Sequence, residues 1–158
     1  MMRMAAWFVA GASILVMTVA AFAQGYGGGY DPNPPTGTAS GSALMDQFKA
    51  AQTHATFAAQ SDALASVRSH LAHVVNCLEG SKGANFSAAE MNPCQGMGNG
   101  IIPDLVARGA PATKALSEAR EANTAALAAL KISDLAQAKA GANKVATLLT
   151  AAMKDLPQ

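Results

Sequence analysis

From Leu44 onward, apolar side chains recur every three or four residues, which is the spacing of one face of an α-helix. Alanine and leucine dominate this part of the chain, and aromatic residues make up only 5% of the sequence, a composition that suits close packing of helix against helix. The pattern predicts an all-α fold, an up-down four-helix bundle of two helical hairpins with a loop between them. The four predicted apolar faces are Leu44, Phe48, Ala51, Ala55 and Ala58; Leu64, Val67, Leu71, Val74 and Leu78; Leu116, Ala119, Asn123, Ala126, Leu127 and Leu130; and Leu135, Ala138, Ala142, Val145 and Leu149.

Short polar motifs mark where these helices begin and end. Ser61-Asp62 offers an N-cap to the second helix, and Ser133-Asp134 repeats that signal before the fourth. Gly80 ends the second helix, and Pro111 suits the first turn of the third. The two Ser-Asp restarts make the hairpins look alike, but the second hairpin has no histidine. Any chemistry is therefore expected in the first hairpin and its loop.

The first 23 residues have the features of a secretory signal peptide. Arg3 supplies the charged start, an apolar run extends from Met4 to Ala20, and Ala21-Phe22-Ala23 is a small-x-small cleavage site. We expect cleavage after Ala23, although the apolar run is just long enough to serve instead as a retained anchor. Residues 24–43 are rich in glycine and proline and predict a flexible leader, and residues 44–158 form the bundle domain. The expected location is the periplasm or the exterior, without membrane association after cleavage.

Cys77 and Cys94 are the only cysteines in the sequence. In an exported protein such an even pair normally forms a disulfide, here across the glycine-rich run from Glu79 to Gly100 that separates the hairpins. Closing this loop contributes about 3 kcal/mol in the chain-entropy model. Metal binding by the thiolates is the alternative, but no Cys-x-x-Cys motif accompanies them. After the loop, Pro103 predicts a short helical turn.

Charge and motif content exclude several functions. Basic and acidic side chains balance once Arg3 is removed, so no field exists to attract nucleic acid or anionic lipid. Gly96, Gly98 and Gly100 alternate without a preceding strand, so the dinucleotide-binding fingerprint is not met. The acidic residues show no Glu-x-x-His or His-Glu-x-x-His spacing, and no serine elbow is present. We therefore expect a protein that is not an enzyme.

All three histidines lie in the first predicted hairpin. His54 stands seven residues before Ser61, and His70 stands eight after Asp62, so antiparallel helices bring both imidazoles to the same height. His70 and His73 share one flank of the second helix, outside its apolar face. Neutral imidazoles at about 2 Å suit zinc or copper. The pattern predicts a metal site formed by His54, His70 and His73.

Other side chains are candidates to complete such a ligand shell. They are Asn76 and Glu79 on the second helix and Met91 and Met97 in the bridged loop. The competing interpretation is that the histidines are ordinary seam or surface residues, with His73 pointing mostly outward.

The stretch HATFAAQSDALASVRSHLAHVVNCL, residues 54–78, resembles the His-Ala hairpins of small periplasmic helical metal-binding proteins. In those proteins, histidines recur on antiparallel helices that face one another. The resemblance implies metal binding at His54, His70 and His73. HLAHVVNCLEG together with NPCQGMGNG also resembles a motif of exported bacterial proteins to which no activity is attached.

The leading hypothesis is a periplasmic or secreted, non-catalytic helical bundle that binds copper or zinc. One alternative is a structural or protein-interaction module without a metal, whose loop presents Met91, Met97 and Ile101 to another periplasmic protein. Another is a b-type haem-binding bundle, ranked behind because aromatic residues are scarce. A separation above about 7 Å between the His54 and His70 nitrogens would leave no room for a shared ion.

Overall fold

The structure is a computed structural model that describes residues 37–157. The predicted signal peptide, residues 1–23, and most of the predicted leader, residues 24–43, lie outside the described residues. All regular secondary structure within residues 37–157 is helical, without a strand, which confirms the all-α prediction. The elements are α1 (Gly41–Gln60), α2 (Leu64–Glu79), α3 (Ile101–Arg108), a 3-10 turn (Ala110–Ala112), α4 (Thr113–Ala129) and α5 (Leu135–Lys154).

Four long helices were predicted, whereas the described residues contain five α-helices. The four correspond to α1, α2, α4 and α5, and the additional helix, α3, develops where the sequence suggested only a short turn at Pro103. Helix α1 packs against α2 and α5, and α4 packs against α5 and α2. Helix α3 lies against α2 and α4, beside the end of the long loop. The bridged loop and α3 together form the connection between the two hairpins.

The predicted apolar faces of α1, α2 and α5 are largely the buried ones. Leu44, Phe48 and Leu71, for example, are completely or almost completely buried. Helix α4 is rotated about its axis relative to the prediction. It buries a row of alanines, while the predicted core residues Leu116, Asn123, Leu127 and Leu130 are only partly buried. A Cβ added to Gly141 of α5 would lie 2.7 Å from the Cβ of Ala129. This close approach requires small side chains in the α4–α5 seam. The buried alanines are Ala115, Ala119, Ala122, Ala126 and Ala129.

The two predicted Ser-Asp caps have different outcomes in the two hairpins. Asp134 caps α5 as expected, since its carboxylate accepts a hydrogen bond of 2.8 Å from the Gln137 N–H. The predicted cap at Ser61-Asp62 is wrong, because α2 begins after Ala63 without a side-chain cap. Ser61 instead ends α1, where its hydroxyl donates to the Phe57 carbonyl at 2.7 Å. Because only three residues separate the two helices, Ser61 remains at the end of α1 and does not cap α2.

Two other helix ends were predicted from glycine and proline. Gly80 ends α2, as predicted, and has a positive φ of 69°, which favours glycine. Pro111 lies in the 3-10 turn that precedes α4 rather than in the first turn of α4 itself. Proline tolerates both positions, since each leaves its missing N–H without an intrahelical partner.

The predicted disulfide between Cys77 and Cys94 is confirmed. The two Cα atoms lie 5.2 Å apart, and both cysteines are buried. Asn76 adds a second attachment, because its side-chain amide donates to the carbonyls of Ser87, Glu90 and Met91 and its oxygen accepts from the Ser87 N–H. The loop is therefore fixed along the last turns of α2.

The chain before α1 is fixed by a buried carboxylate on α3. Asp104 is fully buried and accepts hydrogen bonds from the Gln47 amide at 2.8 Å and from the Ala39 N–H at 3.4 Å. Helix α1 starts at Gly41, ahead of the predicted domain boundary at Leu44, and Ser40 caps it. No helix within residues 37–157 is long and apolar enough to span a membrane.

Candidate metal centre

The first hairpin brings all three histidines into one cluster. His54 lies within two turns of the end of α1, and His70 and His73 lie in the middle of α2. Because the connecting turn is short and the helices are antiparallel, His54 stands opposite the other two. One ring nitrogen from each histidine can be chosen so that all three nitrogens lie within 4.8 Å of one another.

The nitrogens that converge are the Nδ1 atoms. His54 Nδ1 lies 3.2 Å from His70 Nδ1 and 3.1 Å from His73 Nδ1. Nitrogens bound at about 2.0 Å to a tetrahedral ion are separated from one another by about 3.3 Å. These two distances are therefore close to those of a coordination shell. The limit of 4.8 Å for the whole set lies inside the separation of about 7 Å that would exclude a shared ion.

Hydrogen bonds between the rings cannot satisfy all three Nδ1 atoms at once. Each nitrogen of a neutral imidazole has a single in-plane site, which is either a proton or a lone pair. His54 Nδ1 must divide its one site between two neighbouring Nδ1 atoms. A cation at the point of convergence would instead accept a lone pair from all three rings.

Burial keeps the cluster in the form that a cation needs. Burial, followed by the charges that His73 and His70 would carry, lowers the pKa of His54 from 6.5 to about 4. Burial also lowers the pKa of His73, although the carboxylate of Glu90 opposes that effect. Near pH 7 both imidazoles are therefore neutral and keep a lone pair available.

The cluster lies between the core and the surface. His73 is 7% exposed, which contradicts the interpretation that it points mostly outward. His54 and His70 are partly buried. The Phe57 ring, 45% exposed, packs edge-on against His54 and lies 5.5 Å from the His70 ring, measured between centroids. The aromatic ring shields one side of the imidazoles while leaving the cluster close to solvent.

Glu90 is a neighbour of the cluster that the sequence did not indicate. Its Oε2 atom lies 3.3 Å from His73 Nε2 and also accepts a hydrogen bond of 2.8 Å from the Ser69 hydroxyl. The loop around Glu90 has no periodicity from which its position can be inferred. The one available signal is Cys94, four residues later, because the disulfide returns this part of the loop to α2.

The other predicted candidates have different contacts. Asn76 holds the loop backbone, and Glu79 accepts from the side-chain amides of Asn123 at 2.7 Å and Asn85 at 2.8 Å. Met91 is 57% exposed, and Met97 packs against the hydrophobic core. These contacts give Asn76 and Glu79 roles in fixing the loop rather than in the histidine cluster.

Comparison with known proteins found no matching family model, no matching curated protein and no matching solved structure. Within residues 37–157, the histidine cluster is the feature that bears most directly on function. The three imidazoles lie close enough together to hold a single metal ion.

Proposed function

We propose that this protein is an exported, non-catalytic helical protein that binds one transition metal ion, copper or zinc, through Nδ1 of His54, His70 and His73. The convergence of the three Nδ1 atoms, at 3.1 and 3.2 Å from His54, is the observation that carries the proposal. In this proposal the four long helices act as an up-down bundle that holds the imidazoles rigidly. A rigid frame reduces the entropy that ordering of the ligands would otherwise cost.

The donor set favours copper or zinc over other biological cations. Calcium and magnesium prefer oxygen ligands, whereas neutral imidazole nitrogen suits zinc and copper. The three imidazoles leave at least one coordination position for water or for a ligand from another molecule. A second exported protein that delivers or removes the ion is the partner class consistent with such an open position.

The disulfide supports the proposed location. A buried Cys77–Cys94 bridge is typical of proteins that mature in an oxidising compartment, such as the periplasm or the exterior. The sequence of residues 1–23 is consistent with export to that compartment. The absence of catalytic motifs from the sequence favours binding over catalysis.

The test is the metal content and metal affinity of the mature protein purified from the periplasm. Elemental analysis and titration with zinc and copper should give about one equivalent in the wild type. The variant His54→Ala/His70→Ala should lose far more affinity than the roughly 10–100-fold that loss of an outer partner costs, because it removes two direct ligands.

The matched control is Lys49→Ala/Arg68→Ala, which alters two exposed side chains on the same two helices. It should bind metal like the wild type. An absorption spectrum with added haem tests the haem alternative in the same samples. Wild-type protein that contains no metal and ignores zinc, copper and haem would overturn the proposal and favour a protein-interaction module.

A further inference from the structure

His73 makes different contacts through its two ring nitrogens. Nδ1 lies 3.1 Å from His54 Nδ1, inside the cluster, while Nε2 lies 3.3 Å from the Glu90 carboxylate on the opposite side of the ring. An ionised carboxylate has no proton to donate, so this contact is favourable when the proton is on His73 Nε2. The lone pair of His73 is then on Nδ1, directed towards the other histidines.

Glu90 is held in this position by several independent attachments. Ser69 and His73 are four residues apart on α2 and contact the same Glu90 oxygen, Oε2. The Glu90 carbonyl accepts from the Asn76 amide at 3.3 Å, and the disulfide fixes the loop at Cys94. The carboxylate is therefore fixed from its backbone as well as from its side chain.

We propose that Glu90 is the positioning residue of the metal centre, which fixes the tautomer and orientation of His73 so that Nδ1 presents its lone pair to the ion. This inference rests on the proposed metal-binding function. Histidines that bind metals generally donate their other N–H to a carboxylate, a carbonyl or water, and this contact strengthens the ligand. Glu90 gives the bridged loop a function beyond closing the fold.

The tautomer of His73 determines that of His54 in the metal-free protein. With a lone pair on His73 Nδ1, a hydrogen bond across the 3.1 Å contact requires the proton to be on His54 Nδ1. His54 then donates within the cluster, towards His73 and His70. Metal binding requires His54 to carry its proton on Nε2 instead, so that all three Nδ1 atoms hold lone pairs.

Nitrogen-detected NMR of protein with 15N-labelled histidine tests these assignments near pH 7. The metal-free wild type should show His73 protonated on Nε2 and His54 protonated on Nδ1, and addition of Zn²⁺ should move the His54 proton to Nε2. In Glu90→Ala, the His54 Nδ1–H signal should be lost or averaged, because His73 is no longer held in one tautomer. Glu90→Gln keeps the size and an acceptor oxygen, so it should preserve the wild-type tautomers.

Zinc titration of the same proteins measures the contribution to affinity. Glu90→Ala should bind zinc about 10–100-fold more weakly, with Glu90→Gln in between, and the exposed Glu121→Gln on α4 should match the wild type. Unchanged tautomers and unchanged affinity in Glu90→Ala would overturn the role of Glu90. Failure of the wild type to bind zinc or copper would instead overturn the proposed function, while the metal-free tautomers would still show whether Glu90 orients His73.

Discussion

The two hairpins of this protein are built from different kinds of buried side chain. The first hairpin, α1 and α2, buries large apolar residues together with the polar residues Gln47, His73 and Asn76. In the second hairpin, α4 and α5, the buried residues are mainly alanines, joined by Val145 and Leu149, and none of them is polar. The same helical architecture therefore contains one chemically varied seam and one uniform seam.

This difference separates a hairpin that is packed closely for stability, α4 and α5, from the hairpin that contains the candidate site, α1 and α2. Alanine has the highest helix propensity and lets the α4 and α5 backbones approach closely, as Gly141 against Ala129 illustrates. A seam this close has no space for imidazoles. The first hairpin buries polar groups, which costs desolvation free energy. The disulfide and the Asn76 hydrogen bonds, which attach the loop to α2, help to offset that cost. Such exceptions to an apolar core are commonly found at functional sites.

The largest expected effect is the destabilisation caused by removing the disulfide, which should affect the first hairpin more than the second. Cys77→Ala/Cys94→Ala should lower the free energy of unfolding by about 3 kcal/mol, because the unfolded chain gains the entropy of an open loop. Urea unfolding measures the total effect. Hydrogen exchange should show that protection falls mainly in the last turns of α2, with less change in α5. A variant as stable as the wild type, or one that loses protection equally in both hairpins, would contradict this dependence of the first hairpin on its bridge.

The next effect is a loss of stability in acid that originates in the first hairpin. The pKa of folded His54 is about 4, below its ordinary value of 6.5, so the unfolded chain binds a proton that the folded chain does not. Stability is therefore full above about pH 6.5 and falls as the pH decreases towards 4. Because solvent screens this partly buried group, we expect a loss of about 1–2 kcal/mol.

Urea unfolding of metal-free protein at pH 7 and pH 4.5 measures this loss. His54→Gln should show a weaker dependence on pH than the wild type, with the remainder including the lowered pKa of His73. An equal pH dependence in the variant would assign the effect to groups other than His54. Bound metal would enlarge the pH dependence, since protons compete for the same nitrogens, so a chelator is required.

The structure explains which parts of the site could be predicted from the sequence. His54 and His70 were correctly placed opposite one another. In a hairpin with a short turn, the number of residues between each side chain and the turn determines which side chains lie side by side. Glu90 was not predicted to approach His73, because its position depends on how an aperiodic loop folds back over α2. The buried face of α4 was misassigned because leucine gives a stronger hydrophobic signal than alanine, whereas the close α4–α5 seam selects alanine.

The smallest expected effect compares the two Ser-Asp motifs that looked equivalent in the sequence. Asp134→Ala should cost about 1 kcal/mol, because it removes the side-chain acceptor of the Gln137 N–H at the start of α5. Asp62→Ala should leave the unfolding midpoint in urea unchanged, because Asp62 is exposed and α2 has no side-chain cap. Equal losses in the two variants would mean that Asp62 caps α2 in solution. The α1–α2 turn would then have a different conformation in solution, and the register that places His54 opposite His70 and His73 would differ with it.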